Sequence, residues 1–203
     1  MIRLKLTNLT VVLALALLMV GNVDASSVMH FPGSFAYGDS LQFEADGVIM
    51  DATAFAVRQT LESAYVVQSS LGLGVYSLGE ETTGEIVQID GLGANEALVM
   101  SFDQVVKLEQ IGFSLIDQVG DEVSLYDGDF NLLGVVALSP GVNGEMAIAL
   151  NNIVGDEFVI AVTDPSDAYT VCAIQFTAVP TPHAAWMGFS MLISMAITRR
   201  RLV

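Results

Sequence analysis

Apolar side chains fall on alternate positions through most of the chain between residues 26 and 179. Leu98, Met100 and Phe102 alternate with Val99, Ser101 and Asp103, and Ile111, Phe113 and Leu115 alternate with Gly112, Ser114 and Ile116. Met146, Ile148 and Leu150 repeat the pattern, as do Phe158, Ile160 and Val162, and again Cys172, Ile174, Phe176 and Ala178. A pleated strand sends successive side chains to opposite faces, so each run predicts a strand with one face in a core. The last run puts Cys172 on the core face, where a lone cysteine acts as a small buried hydrophobe.

Residues that favour turns separate these runs: Asp90-Gly91, Asp127-Gly128, Pro140-Gly141, Asn143-Gly144 and Asp164-Pro165. The one segment open to a helical reading is Ala54–Gln68, with Phe55, Val57, Leu61, Tyr65 and Val66. Arg58 on its apolar stretch, Thr60 and the β-branched pair Val66-Val67 favour strands there. The expectation is all-β: one antiparallel β-sandwich over residues 26–179, nine or so strands in two sheets, with a last strand at Tyr169–Val179.

Charge sharpens that picture. The 203 residues hold 7 Lys+Arg against 23 Asp+Glu, and five of the seven cations lie in the end segments. Residues 26–179 keep only Arg58 and Lys107 against 22 acidic residues, a net charge of −20. Nucleic-acid binding needs clustered cations to displace phosphate counterions, so this composition excludes it. Such acidity keeps an extracellular domain soluble and opposes close self-association. With Cys172 the only cysteine, no internal disulfide is possible, and stability has to come from the core.

The ends read as addresses. Arg3 and Lys5 precede the 12-residue apolar run Leu9–Val20, and Val23-Asp24-Ala25 offers small residues for a cut between Ala25 and Ser26. Residues 1–25 therefore predict a signal-peptide helix, because the run is too short to span a bilayer. At the other end Val179-Pro180-Thr181-Pro182 leads into the apolar stretch 184–198 and then Arg199-Arg200-Arg201. Fifteen helical residues rise about 22 Å, short of the roughly 30 Å hydrocarbon core. Residues 180–203 thus predict a short transmembrane helix held by local thinning, its arginines on the cytoplasmic side.

This tail resembles the PEP-CTERM sorting signal of Gram-negative bacteria, in which a Val-Pro-Glu-Pro motif precedes a short transmembrane helix and an Arg-rich end. Thr181 replaces the usual Glu. The resemblance implies export, transient anchoring in the inner membrane and processing by the membrane protease exosortase. Within the middle, Leu71-Gly72-Leu73-Gly74-Val75-Tyr76, Val87–Asp90, Glu96–Asp103, Val105–Phe113 and Val123–Asp127 resemble the jelly-roll-like sandwich of exosortase-dependent surface proteins. That similarity implies fold and location, with no activity attached.

Little in the middle promises catalysis. Nucleophilic hydrolysis needs a base beside the nucleophile. The two histidines, His30 and His183, lie at the ends of the exported region. Ligand clusters for zinc, copper or haem are missing. Paired carboxylates carry no weight among 22, and the only Trp, Trp186, falls in the C-terminal segment. No catalytic residue is expected.

Calcium is the candidate cofactor, because its ligands are hard oxygens. Asp127, Asp129 and Asn131 match the first alternate positions of a calcium loop, but Leu132 and Leu138 replace its turn Gly and bidentate Glu. The competing reading is a hairpin turn joining Val123–Tyr126 to Leu132–Leu138. Asp90 and Glu96, flanking a Gly-rich loop, form a second candidate pair. The leading functional expectation is an exported structural or interaction protein, with exosortase and the secretion machinery as partners. The alternative is a jelly-roll module binding extracellular polysaccharide, with or without calcium. Exposed Tyr or Phe grouped on one sheet face would favour that alternative.

Overall fold

The computed structural model describes residues 26–180, apart from 59, 79–87, 92, 117–119 and 142–143. The expected signal and transmembrane helices lie outside the described residues, as do Ala25, Thr181, Pro182 and Arg199–Arg201. Every regular element described is a strand: β1 (Ser27–His30), β2 (Ala36–Gly38), β3 (Ser40–Ala45), β4 (Val48–Val57), β5 (Leu61–Ser69), β6 (Gly72–Tyr76), β7 (Ile89–Asp90), β8 (Asn95–Ser114), β9 (Glu122–Asp127), β10 (Leu132–Ala137), β11 (Met146–Ala161) and β12 (Ala168–Ala178). All their pairings are antiparallel. The 54–68 segment is indeed extended, with β4 and β5 joined where the Arg58 amide donates to the Thr60 carbonyl (3.3 Å).

Among the described residues twelve strands stand where nine or so were expected, yet two pairs of apolar runs merge. The runs around Leu98 and Ile111 belong to the single 20-residue β8, and those around Ile148 and Phe158 to the 16-residue β11. These long strands explain why one hydrogen-bonded sheet stands where two were expected. Its order is β1-β12-β6-β5-β4-β8-β11-β9-β10. The first half of β8 pairs with β4 (Asn95–Phe102) and its second half with β12 (Val106–Ser114). β11 follows the other edge of both halves, with register shifts between Ala149 and Ile153 and between Gly155 and Glu157 that let it bend. The β12–β8 pairing closes the path through β6, β5 and β4 on itself.

One core fills the wrap. Leu98, Met100, Phe158, Ile160, Val171 and Ile174 are buried in it, and the Phe102 ring lies 6.0 Å from Phe158 and 5.6 Å from Phe176. Burying each such side chain stabilises by about 2–3 kcal/mol before chain entropy is counted.

Period-two reading fails in phase at two places. Cys172 sits in a bulge between Val171 and Ala173, so the buried set changes from Tyr169 and Val171 to Ile174 and Phe176. Cys172 is therefore half-buried beside Gly112 rather than on the core face. At the end of β8, Leu115 takes a left-handed φ of 55°, and Ile116 rather than Leu115 becomes the buried residue.

Candidate functional site

Residues directly opposed in an antiparallel ladder project from the same face. Across β6, β5 and β4 the opposed pairs are Tyr76–Tyr65 and Ser63–Phe55. Phe55 then opposes Ala97 on β8, Ala97 opposes Ala161 on β11, and Val159 opposes Tyr126 on β9. The alternate residues Leu98, Met100, Phe158 and Ile160 fill the core. Tyr76, Tyr65, Ser63, Phe55, Ala97, Ala161, Val159 and Tyr126 therefore share the outer face.

Aromatic rings crowd that face. Tyr37 of β2, 66% exposed, lies 6.3 Å edge-to-face from Tyr65, and Tyr65 stacks on Tyr76 at 6.3 Å with planes 21° apart. Phe35, 59% exposed, extends the row at 6.2 Å from Tyr37. Further along, Phe55, Tyr126 and Phe130 line a trough of about 280 Å³ whose floor includes Ala97, Val159 and Ala161. Phe130 is 57% exposed, and its ring meets Phe55 edge-to-face at 5.8 Å.

Phe130 reaches that place because of the β9–β10 turn. It adopts φ of 60°, unusual for a bulky residue, and its amide donates to the Asp127 carbonyl (3.0 Å). Asp127 Oδ1 accepts from the amides of Asp129 (3.0 Å) and Asn131 (2.8 Å), and Asn131 Nδ2 donates to both carboxylate oxygens (3.2 and 3.0 Å). These bonds, the Asn131 side chain first, hold the Asp127 carboxyl below its usual range. The predicted calcium trio thus sits in the hairpin turn, as the competing reading expected, and fixes an aromatic wall.

A polar row runs beside the rings. Gln42, Asp51, Ser101 and Glu157 stand in register across β3, β4, β8 and β11. Gln42 Nε2 donates to Asp51 Oδ1 (2.9 Å), and Ser101 Oγ donates to Glu157 Oε2 (2.7 Å). Beyond them an open cleft of about 440 Å³ is lined by Asp127, Asp129, Asp156 and Glu157 among others.

Asp90 and Glu96 come together, but inside. Both are buried, and Glu96 Oε2 accepts from the Asp90 amide (3.2 Å), tying down the loop between them. Among the described residues, no group of three or more His, Cys, Asp or Glu is placed to hold a metal. Val179 donates its amide to the Val105 carbonyl (2.9 Å), pinning the end of the last strand, while Pro180 is exposed. Ser26 Oγ donates to Glu109 Oε2 (2.7 Å) and accepts from Gln175 Nε2 (2.9 Å).

The aromatic row escaped sequence reading because a ring's face depends on register. The signal was present in the Ser70-Leu71 turn: a two-residue connection pairs Ser69 with Gly72 and hence Tyr65 with Tyr76.

No family model matches the chain, and no curated protein matches it. Among solved structures it is similar to a fucose binding module of Streptococcus pneumoniae, SpX-3, at 10% identity and a TM-score of 0.29, over 43% of this chain and 67% of that one. It is also similar to the GH31 CBM32-2 bound to GalNAc, at 13% identity and a TM-score of 0.31, over 64% of this chain and 99% of that one. Likeness at these TM-scores adds no weight to any functional reading of the aromatic face.

Proposed function

We propose that this chain is an exported, non-catalytic β-sandwich module of jelly-roll-like character whose aromatic outer face binds carbohydrate. The observation that carries the reading is the row Phe35, Tyr37, Tyr65 and Tyr76, four rings in sequential contact on one sheet face. Pyranose rings present apolar C–H faces that pack on aromatic rings, and tyrosine adds a hydroxyl for the sugar's own hydroxyls. Each such contact contributes about 1 kcal/mol, so several rings in one row give useful affinity. This arrangement favours the binding module over a purely structural role.

The ends support the setting. Arg3, Lys5 and the apolar run before Ala25 suit secretion, and Val179–Pro182 with Arg199–Arg201 suits retention and exosortase processing. A domain of net charge −20 beside a membrane or in a matrix stays soluble while its aromatic row engages glycan.

Affinity electrophoresis of the full-length chain through gels containing single polysaccharides tests the binding. Retardation by at least one polymer is expected, with the Tyr65→Ala/Tyr76→Ala double variant losing tenfold or more at unchanged circular dichroism. No retardation by any polymer, or retention by the double variant, overturns the reading.

A further inference from the structure

We propose that the ligand is an uncharged, linear polysaccharide lying across the strands and gripped along its length rather than by its end. This inference rests on the carbohydrate reading and names the class of glycan.

Two aromatic stations share the outer face. One is Tyr37, Tyr65 and Tyr76 on β2, β5 and β6; the other is the trough of Phe55, Tyr126 and Phe130. Register connects them through Ser63, Phe55, Ala97 and Ala161, from β5 across β4 and β8 to β11, with Tyr126 on β9 beyond. Four strand spacings of about 4.8 Å set β5 and β9 roughly 19 Å apart. That span exceeds one sugar ring and suits a chain of several. Small side chains at Ala97 and Ala161 keep the floor low between aromatic walls. A ligand held by a terminal residue would instead call for an enclosed pocket at one station.

Charge selects the class. Ser63, Phe55, Ala97, Val99, Val159, Ala161 and Tyr126 carry none, in a region with 22 acidic residues. Anionic polymers meet repulsion from that surround, and so does a second copy of the chain. A peptide added as a strand needs an open sheet edge, whereas this path crosses the centre of the sheet, where backbone groups are already paired. An uncharged polymer, with apolar ring faces and abundant hydroxyls, fits both the rings and the charge.

Calorimetric titration of the full-length chain decides the matter, using gluco-, manno- and N-acetylglucosamine oligomers of two to six units, with alginate and chitosan as charged probes. Affinity for at least one neutral series should rise tenfold or more from dimer to hexamer. Tyr37→Ala and Phe130→Ala, both at exposed rings and so safe for folding, should each weaken the hexamer about fivefold and flatten the length dependence. Equal affinity for dimer and hexamer, or tighter binding of alginate or chitosan than of any neutral oligomer, overturns the extended neutral chain while leaving the carbohydrate reading intact. If no glycan binds, both fall.

Discussion

Tyr65 and Tyr76 stand directly opposite each other across the β5–β6 ladder, their rings 6.3 Å apart and nearly parallel. Their stacking is fixed by the turn that sets the register, and that turn is pressed against β12. Gly72, at φ of 141°, opens β6 with no side chain, and a Cβ there would run into the Val171 carbonyl and approach Cys172 Cα to 3.0 Å.

Gly72→Ala should therefore cost about 2–3 kcal/mol, because the obstacle is backbone and the φ disfavours any L side chain. Chemical denaturation reads it directly. A loss below about 0.5 kcal/mol would mean the turn can shift, and the Tyr65–Tyr76 stack should then weaken with it.

The Asp127 clasp makes the trough sensitive to acid. Hydrogen bonds from Asn131 and Asp129 lower the Asp127 carboxyl from its ordinary value, so the stabilisation is present above that value and disappears as pH falls through the lowered one. Asn131→Ala should move the Asp127 carboxyl upward, measurable by NMR titration. The same variant should weaken any ligand that touches Phe130, with little change in global stability, since the turn is exposed. An unmoved Asp127 titration would show that the backbone amides alone hold the turn.

Two other carboxylates tie stability to pH with opposite signs. Glu109 is lowered from 4.5 to about 2, first by the Lys107 ammonium at 2.8 Å, then by Ser26, with Thr177 adding a smaller share. Its contribution is complete above about 4.5 and is lost as pH falls toward 2. Solvent screening limits it to about 1 kcal/mol. Asp167 behaves oppositely: burial raises its carboxyl above 3.8, so the protein is relatively more stable below that value and loses the advantage as pH rises through the raised one. Lys107→Met should flatten the acid side of the stability profile. Asp167→Asn, which keeps the oxygen that accepts the Glu122 amide (2.9 Å), should raise stability at pH 7 relative to pH 3. Thermal melts of both variants between pH 2.5 and 7 check the signs, and parallel shifts at every pH would refute them.

Alternation alone made the strands legible. It located both halves of β8 and β11 and the last strand, while the β9–β10 hairpin was legible from its Asp127-Gly128 turn. It missed that the halves join, since the buried set of β8 changes from even positions through Leu108 to odd ones from Ile111 at a register shift, and a change of phase reads as two strands. It also misplaced Cys172, which the bulge takes off the core face that Ile174 and Phe176 keep as expected. For the site, the residues were visible but their grouping was not. Tyr37, Tyr65 and Tyr76 are far enough apart in the chain that only register brings them together. Asp127, Asp129 and Asn131 had the right oxygens for a cation, yet in the fold Asp127 Oδ1 accepts from the amides of Asp129 and Asn131 as a turn clasp.

The Cys172 bulge offers the last test. Its side chain is half-buried in a groove with His30, Gln110 and Glu145, and burial followed by the nearby Glu145 charge pushes the thiol up from 9.0. The thiolate is therefore scarce at neutral pH, and alkylation should be slow, accelerating only in alkaline buffer. On the facing strand, a Cβ added at Gly112 would stand 3.0 Å from Cys172 Sγ. Gly112→Ala should cost about 1–2 kcal/mol through that overlap. Cys172→Ala removes the obstructing sulfur, so the double variant should recover most of the loss, giving a coupling of at least about 1 kcal/mol in a double-mutant cycle. Additive effects would place the strain of Gly112→Ala in the backbone of β8 instead of in the overlap with the sulfur.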